Sequence, residues 1–272
     1  MSDRHYFDIV IIGSGMGGST MAYGLHDKGA SILILERGDF LPREADNWDV
    51  DGVARYRANE TWFDQHGQPI YPRIYYNVGG NTKVYGAAML RYREQDFESV
   101  SHEAGDTVPW PISYAELAPF YDRAEMLLGV RGLAGEDPTE PARGPFPFPA
   151  VPHEAVVEQL AGQLRTQGLH PFHLPVSVDL GPAGLCVRCS TCDGFPCQVH
   201  AKGDAETRQL RQALASDTVT LWTRARVERL TTTADGRRVE SAMVVHRGQP
   251  KTVSAGVFIL SAGAINSPAL LL

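Results

Sequence analysis

The stretch Asp8–Gly18, DIVIIGSGMGG, decides how this chain is read. The apolar run Ile9–Ile12 has the length and β-branched character of a buried strand, so Tyr6 to Ile12 is expected to be one. Gly13, Gly15 and Gly18 then fit G-x-G-x-x-G, with Ser14, Met16 and Gly17 between them. That pattern alone is weak, because any tight strand-to-helix turn needs similar glycines. Its surroundings make it specific. A helix is expected over Ser19 to Asp27 with Gly29 as its stop, a second strand over Ser31 to Leu35, and Glu36 ends that strand 18 residues after Gly18. In such a βαβ unit Gly13 turns the chain, Gly15 lets a pyrophosphate approach the backbone, and Gly18 lets helix and strand pack closely. The N–H groups and dipole of the helix N-terminus hold the phosphate charge. Glu36 is placed to accept from a ribose hydroxyl and disfavours a 2′-phosphate, which leaves NAD and FAD ahead of NADP.

Working outward, residues 40 to 112 show little period, with one glycine-rich centre at NVGGNTKVYGAAMLR. A helix is expected from Ser113, which forms a capping box with Glu116; Leu117, Phe120, Tyr121, Ala124, Leu127 and Leu128 make its apolar stripe and Gly129 lies near its end. The proline-dense Gly135–Pro152 reads as a surface crossing, so a boundary is expected at 140 to 152. Helices follow at His153 to Gln167, closed by Gly168, and at Asp204 to Ala215. Then come VTLWT, ARVERLTTT, RRVESAMVVH and KTVSAGVFIL, with hairpin turns at Asp235-Gly236 and Arg247-Gly248, read as a β-meander returning to a closing strand. In SAGAINSPALLL, Ser267 and Pro268 look like an N-cap and first helical position, leaving a helix too short to close a domain. A continuation is expected. The fold class is α/β: a Rossmann-like domain with a β-meander, its first part over 1–140, a cysteine-containing substrate-side segment over 141–203, and its second part over 204–272, with the substrate domain largely missing.

Among 272 residues 43% are hydrophobic and 21% charged, as in a folded globular protein, and the net charge of −7 without any basic run argues against nucleic acid. The N-terminal apolar run is shorter than the roughly 7–15 residues of a secretory signal, and no window approaches the ~18 apolar residues of a membrane span, so a cytoplasmic location is expected. Cys186, Cys189, Cys192 and Cys197 lie at C-x2-C-x2-C-x4-C. Four soft ligands in one loop suit an iron–sulfur cluster, but the last spacing departs from the bacterial ferredoxin run and a single zinc usually takes two separated knuckles. Reduced thiols are the favoured reading, and no metal site is assigned.

Four segments, DIVIIGSGMGGSTMAYGL with LILERG, VGGNTKVYGAAMLRYREQDF, WPISYAELAPFYDRAEMLLGV and VFILSAGAINSPALLL, resemble the glucose-methanol-choline (GMC) family of flavin oxidoreductases, in family order and across the whole chain. The resemblance implies FAD, with Gly13, Gly15 and Gly18 at its pyrophosphate, Glu36 and the adjoining Arg37 at its adenosine end, Gly79, Gly80, Asn81 and Thr82 near the isoalloxazine ring, and Val227 contacting adenine through backbone atoms. The family's usual asparagine is replaced by Tyr85, and Val84 stands where members with covalent flavin have a histidine, so noncovalent FAD is expected. The implied activity is oxidation of a CH–OH donor, a sugar, polyol or related alcohol, by hydride transfer to flavin N5. The cysteine segment resembles loops in bacterial sugar and polyol dehydrogenases of the family, where a cluster would relay electrons to an acceptor subunit. None of the nine histidines matches the family's C-terminal base, and no catalytic residue is assigned. The alternative is a catalytically incomplete chain that binds FAD or a partner without turnover.

Overall fold

A six-stranded mixed sheet organises the part of the molecule that carries the glycine-rich turn. The computed structural model describes residues 4–49, 55–181 and 183–272. They form two compact units, one of Met1–Gly86, Arg188–His200 and Asp204–Leu272, the other of Ala87–Val187 with Ala201–Gly203. The boundary expected at 140–152 lies inside the second unit.

In the first unit β1 (Arg4–Ile12), β2 (Ile32–Leu35), β3 (Val219–Trp222), β4 (Ala225–Thr232), β5 (Val239–His246) and β6 (Gln249–Leu260) stand in the order β4-β5-β6-β1-β2-β3. β6, β1, β2 and β3 are parallel, with Ile12 opposite both Leu260 and Leu35, and Leu35 opposite Trp222. β4 and β5 extend the sheet antiparallel beyond β6. β6 is long enough for two partners: its first residues complete the meander with β5 and its later ones lie along β1. The segment VTLWT therefore does not belong to the meander. It is the parallel strand at the opposite edge, placed by a long crossover that has no local signature.

The strand alternation divides the core between two faces. Val10, Ile12, Leu33 and Leu35 pack with Ala225, Ala242, Val244, Val253 and Ala255 on one face. Ile11, Ile32 and Ile34 pack with Ala22 of α1 (Met16–Leu25), Val78, Leu210 and Ala213 on the other. β2 is buried on both faces, which is why it reads as an unbroken apolar run.

α1 begins at Met16, three residues before the expected start, because Gly15 is its N-cap and Gly17 and Gly18 form its first turn. The helix expected at 204–215 opens with a π-helical turn, Glu206–Leu210, before the short α4 (Arg211–Ala213). The last helix, α5 (Gly263–Leu271), starts five residues before Pro268, so Ser267 is not its N-cap. Pro268 is tolerated inside it, and the Ser267 hydroxyl accepts from Ala262 N at 3.1 Å, serving the start of the helix from within.

In the second unit α2 (Tyr114–Leu128) has the expected cap: Ser113 Oγ accepts from Glu116 N, Glu116 accepts from Ser113 N, and Gly129 ends the helix at φ +67°. α3 (Ala155–Thr166) ends before Gly168, at φ +76°. The expected stripe of α2 needs correction. Tyr114, Glu125 and Leu128 are its buried residues, while Phe120 and Ala124 are exposed. The cause is a buried charge: the Glu125 carboxylate accepts from Arg91 Nε and Nη2, both at 2.8 Å, and from both Nη atoms of Arg143. Two bidentate arginines draw a polar residue inward where apolar periodicity gives no warning.

Candidate functional site

The turn from β1 into α1 lies against the turn from β6 into α5, and sterics dictate its glycines. Gly13 has φ +99°, and a β-carbon there would stand 2.4 Å from Ser261 O. One on Gly18 would stand 1.9 Å from Gly13 O and 3.2 Å from the Ile11 side chain. Backbone contacts of this kind allow no side chain. Gly15 differs: the nearest atom to a β-carbon there would be Gly80 Cα at 4.0 Å, so its open side is what a ligand needs rather than what packing needs. No side chain caps the α1 N-terminus, leaving its N–H groups for an anion.

A second turn meets the first. Gly79 N donates to Ser14 O at 3.2 Å, and Gly79 and Gly80 take left-handed conformations at φ +88° and +57°. Lys83 follows them and is buried, its Nζ 2.9 Å from Asp204 Oδ2 and 2.6 Å from Glu206 Oε2. Thr82 Oγ1 donates to Gly79 O at 2.6 Å and accepts from Ala205 N at 3.1 Å. Asn81 Oδ1 accepts from Tyr75 N, so both side chains hold the turn itself.

Between these turns lies a cavity of about 850 Å³, lined by 12–17, 35–37, 72–77, 80–82, 225–228 and residues of 261–270. Of the expected site residues, Gly13, Ser14, Gly15, Met16, Gly17, Glu36, Arg37, Gly80, Asn81, Thr82 and Val227 line it. Gly18 and Gly79 do not; Gly18 faces β1, and Gly79 packs on Lys83 and Glu206. Val227 sits on β4, the outermost strand, where the pairing with β5 shifts between Val227 and Arg229. Glu36 is buried, its Oε2 accepting from Ser14 N and Oγ at 3.1 and 2.6 Å and its Oε1 from Gly38 N at 2.8 Å. Burial pushes its carboxyl above the ordinary value despite those bonds. Arg37 lies 3.9 Å over the Tyr76 ring and pairs with Glu60, which also accepts from Tyr76 Oη.

Sequence reasoning missed Tyr76, Asn77 and Ser261. Tyr76 adjoins the segment NVGGNTKVYGAAMLR, Asn77 opens it and Ser261 opens SAGAINSPALLL, so nearness to the glycines was the available signal. Asn77 is the most telling: it is 2% exposed, its amide donates to Val78 O and Gly80 O, and its Oδ1 has no partner. A buried acceptor on a cavity wall calls for a donor from whatever fills the cavity. The volume lies within the roughly 300–1,000 Å³ of cofactor sites. The open Gly15, the uncapped helix and Asn77 together fit a dinucleotide.

Among the described residues, no histidine lines the cavity. His153 stacks on His173 at 3.9 Å, and Trp222 stacks on His246 while meeting His5 edge-on. Cys186 falls in the second unit, the other three cysteines in the first, and among the described residues no group of three or more His, Cys, Asp or Glu is placed to hold a metal. Among them, no helix is long and apolar enough to cross a membrane.

Fold and cavity define an α/β dinucleotide-binding protein. The chain belongs to the GMC oxidoreductase family. Residues 153–272 match the family model described as GMC oxidoreductase, and 11–74 match that of the NAD(P)-binding Rossmann-like domain. The chain is similar to paromamine 6'-oxidase of Streptomyces fradiae, 35% identical over 99% of this chain and 50% of that protein. It is similar to 2-methyl-1,2-propanediol dehydrogenase of Mycolicibacterium austroafricanum, 28% identical over 97% of this chain and 50% of that protein. The fold is that of pyridoxine 4-oxidase from Mesorbium loti, with TM-score 0.59, 21% identity, and coverage of 97% of this chain and 51% of that one. The chain thus spans about half the length of the curated relatives it matches.

Proposed function

We propose that this chain is the FAD-binding portion of an oxidoreductase that oxidises a CH–OH group of a sugar, polyol or related alcohol. The observation that carries the reading is the pairing of an open Gly15 and uncapped α1 N-terminus with the Gly79-Gly80 turn across one cavity. When bound, FAD would supply the acceptor for the hydride of the donor carbon. The N–H groups at the start of α1 hold the pyrophosphate, and Gly15 admits it to the backbone. Glu36 serves the adenosine ribose while fixing Ser14 and Gly38. Gly80, Asn81 and Thr82 line the cavity and would face the isoalloxazine ring, and Val227 would offer main-chain contacts to adenine.

The relatives' names support an alcohol-type donor, one being an oxidase and one a diol dehydrogenase. FAD is held noncovalently in this reading, with the buried Val84 where covalent attachment would need a nucleophile. An electron-acceptor subunit and a cytoplasmic location belong to the same proposal. A second reading, FAD capture without turnover, is favoured by the cavity wall, which among the described residues presents no histidine to take the hydroxyl proton. Anaerobic mixing of the FAD-loaded protein with a panel of sugars and polyols separates the two: bleaching of the flavin bands supports turnover, and unchanged bands with every donor contradict it.

A further inference from the structure

A second concavity, of about 760 Å³, adjoins the cavity and shares Arg37 and Arg226 with it. Arg37, Asp39, Arg224, Arg226 and Arg247 form its polar wall and Val245 is its one large apolar side chain. Four guanidinium groups around one hollow run against a chain whose net charge is −7.

The backbone makes the arrangement more informative. Arg224 and Arg247 both lie in the left-handed region, at φ +52° and +50°, and are joined by Arg247 N donating to Arg224 O at 2.8 Å. Arg224 N in turn donates to Gly38 O at 2.7 Å. Left-handed backbone costs a residue with a β-carbon roughly 1–2 kcal/mol, and glycine or asparagine is the relaxed choice. Arg247 with Gly248 forms the hairpin turn between β5 and β6, a position where Asn-Gly or Asp-Gly is the usual solution. Arginine at both strained positions points to a use for the side chains.

The facing carboxylates leave that use open. Asp39 accepts from Arg224 Nε, Glu228 from one Nη of Arg226, and Glu60 from one Nη of Arg37. Each occupies one edge of a guanidinium. Arg247 makes no ion pair among the described residues, so four positive groups face three negative ones.

We propose that this concavity binds a compact multivalent oxyanion, a diphosphate or a tricarboxylate, through Arg224 and Arg247. The planar forks match such oxygens in bidentate fashion, and with Val245 the one large apolar side chain on the wall, the four guanidinium groups select a small charged ligand. The proposal stands independently of the cofactor reading.

The test is isothermal titration of the purified protein with pyrophosphate and, separately, with citrate, at low salt, alongside the Arg224→Asn/Arg247→Asn double variant. Asparagine relaxes both backbone positions, so the variant is expected to melt no lower than the parent. Neither arginine lines the cofactor cavity, so binding at the α1 N-terminus is common to both proteins and cancels. The expected result is a binding event that added salt weakens and that the variant loses by about 10-fold or more. Stronger binding of pyrophosphate assigns phosphoryl chemistry, and stronger binding of citrate assigns carboxylate chemistry. Coincident titrations of parent and variant, absence of binding by the parent, or a lower melting temperature for the variant would overturn the proposal. The single Arg247→Asn variant repeats the test at the position that makes no ion pair.

Discussion

The two turns that meet at the cavity rest on different physical bases. The Gly13–Gly18 turn is shaped mainly by the absence of side chains, with backbone pressed on backbone at Ser261 and Gly13 and the Glu36 carboxylate holding Ser14. The Gly79–Lys83 turn is fixed by charge and hydrogen bonds: Lys83 between Asp204 and Glu206, Thr82 between Gly79 and Ala205. The lysine stem even crosses beneath Gly79, where a β-carbon would meet Lys83 Cδ at 2.9 Å. Packing of the first kind specifies one geometry with no latitude. A buried ion network of the second kind is no guarantee of net stability, since apolar replacements can do as well, but it ties one turn to one helix.

Breaking the packed turn has the largest expected effect. Gly18→Ala places a carbon against Gly13 O, and a loss on the order of 4 kcal/mol or outright failure to fold is expected, read by thermal melting and by loss of bound flavin. Next comes Lys83→Met, which leaves Asp204 buried without its lysine and Glu206 with Arg211 alone, and is expected to cost about 3 kcal/mol at neutral pH.

The pH dependence sharpens this second case. Burial pushes the Glu206 carboxyl up, but Lys83 and Arg211 hold it below its ordinary 4.5. In the parent protein that stabilisation is present above pH 4.5 and is lost as pH falls through the lower folded value. Without Lys83 only Arg211 opposes burial, so the folded value rises relative to the parent and the variant's deficit is expected to shrink as pH is lowered from neutral into the acid range. Denaturant midpoints for both proteins across that range check the sign, and a constant deficit would remove the charge from the account.

Smaller effects test the finer features. Thr82→Val keeps the shape but strands Ala205 N, and a loss of about 1–2 kcal/mol with weaker FAD retention is expected in chemical melts and equilibrium dialysis. Val227→Ala is expected to change FAD affinity less than about threefold, because the proposed contact is through the main chain, which the substitution keeps. A large loss there would move the adenine contact to the side chain.

The packed turn was readable in the sequence because its logic is local: strand, glycines, helix and acidic residue lie within Tyr6–Glu36. The capping box of Ser113 and Glu116 and the turn at Arg247-Gly248 were legible for the same reason. What stayed hidden depends on distant residues. β3 takes its place by a crossover, and Glu125 is drawn inward by Arg91 and Arg143. At the site, Gly79 and Gly80 were recognised, but their support from Lys83 by Asp204 and Glu206 spans more than 120 residues and leaves no pattern in the chain. Tyr76 and Asn77 acquire meaning only beside Arg37 and the cavity.

The central claim is that this cavity holds FAD noncovalently, and the visible absorption spectrum of the purified protein before and after acid precipitation tests it most directly. The account predicts two flavin bands that pass entirely into the supernatant, at one FAD per chain. Flavin retained in the pellet would contradict noncovalent binding, and a folded, colourless protein that takes up no added FAD would contradict the assignment of the cavity itself.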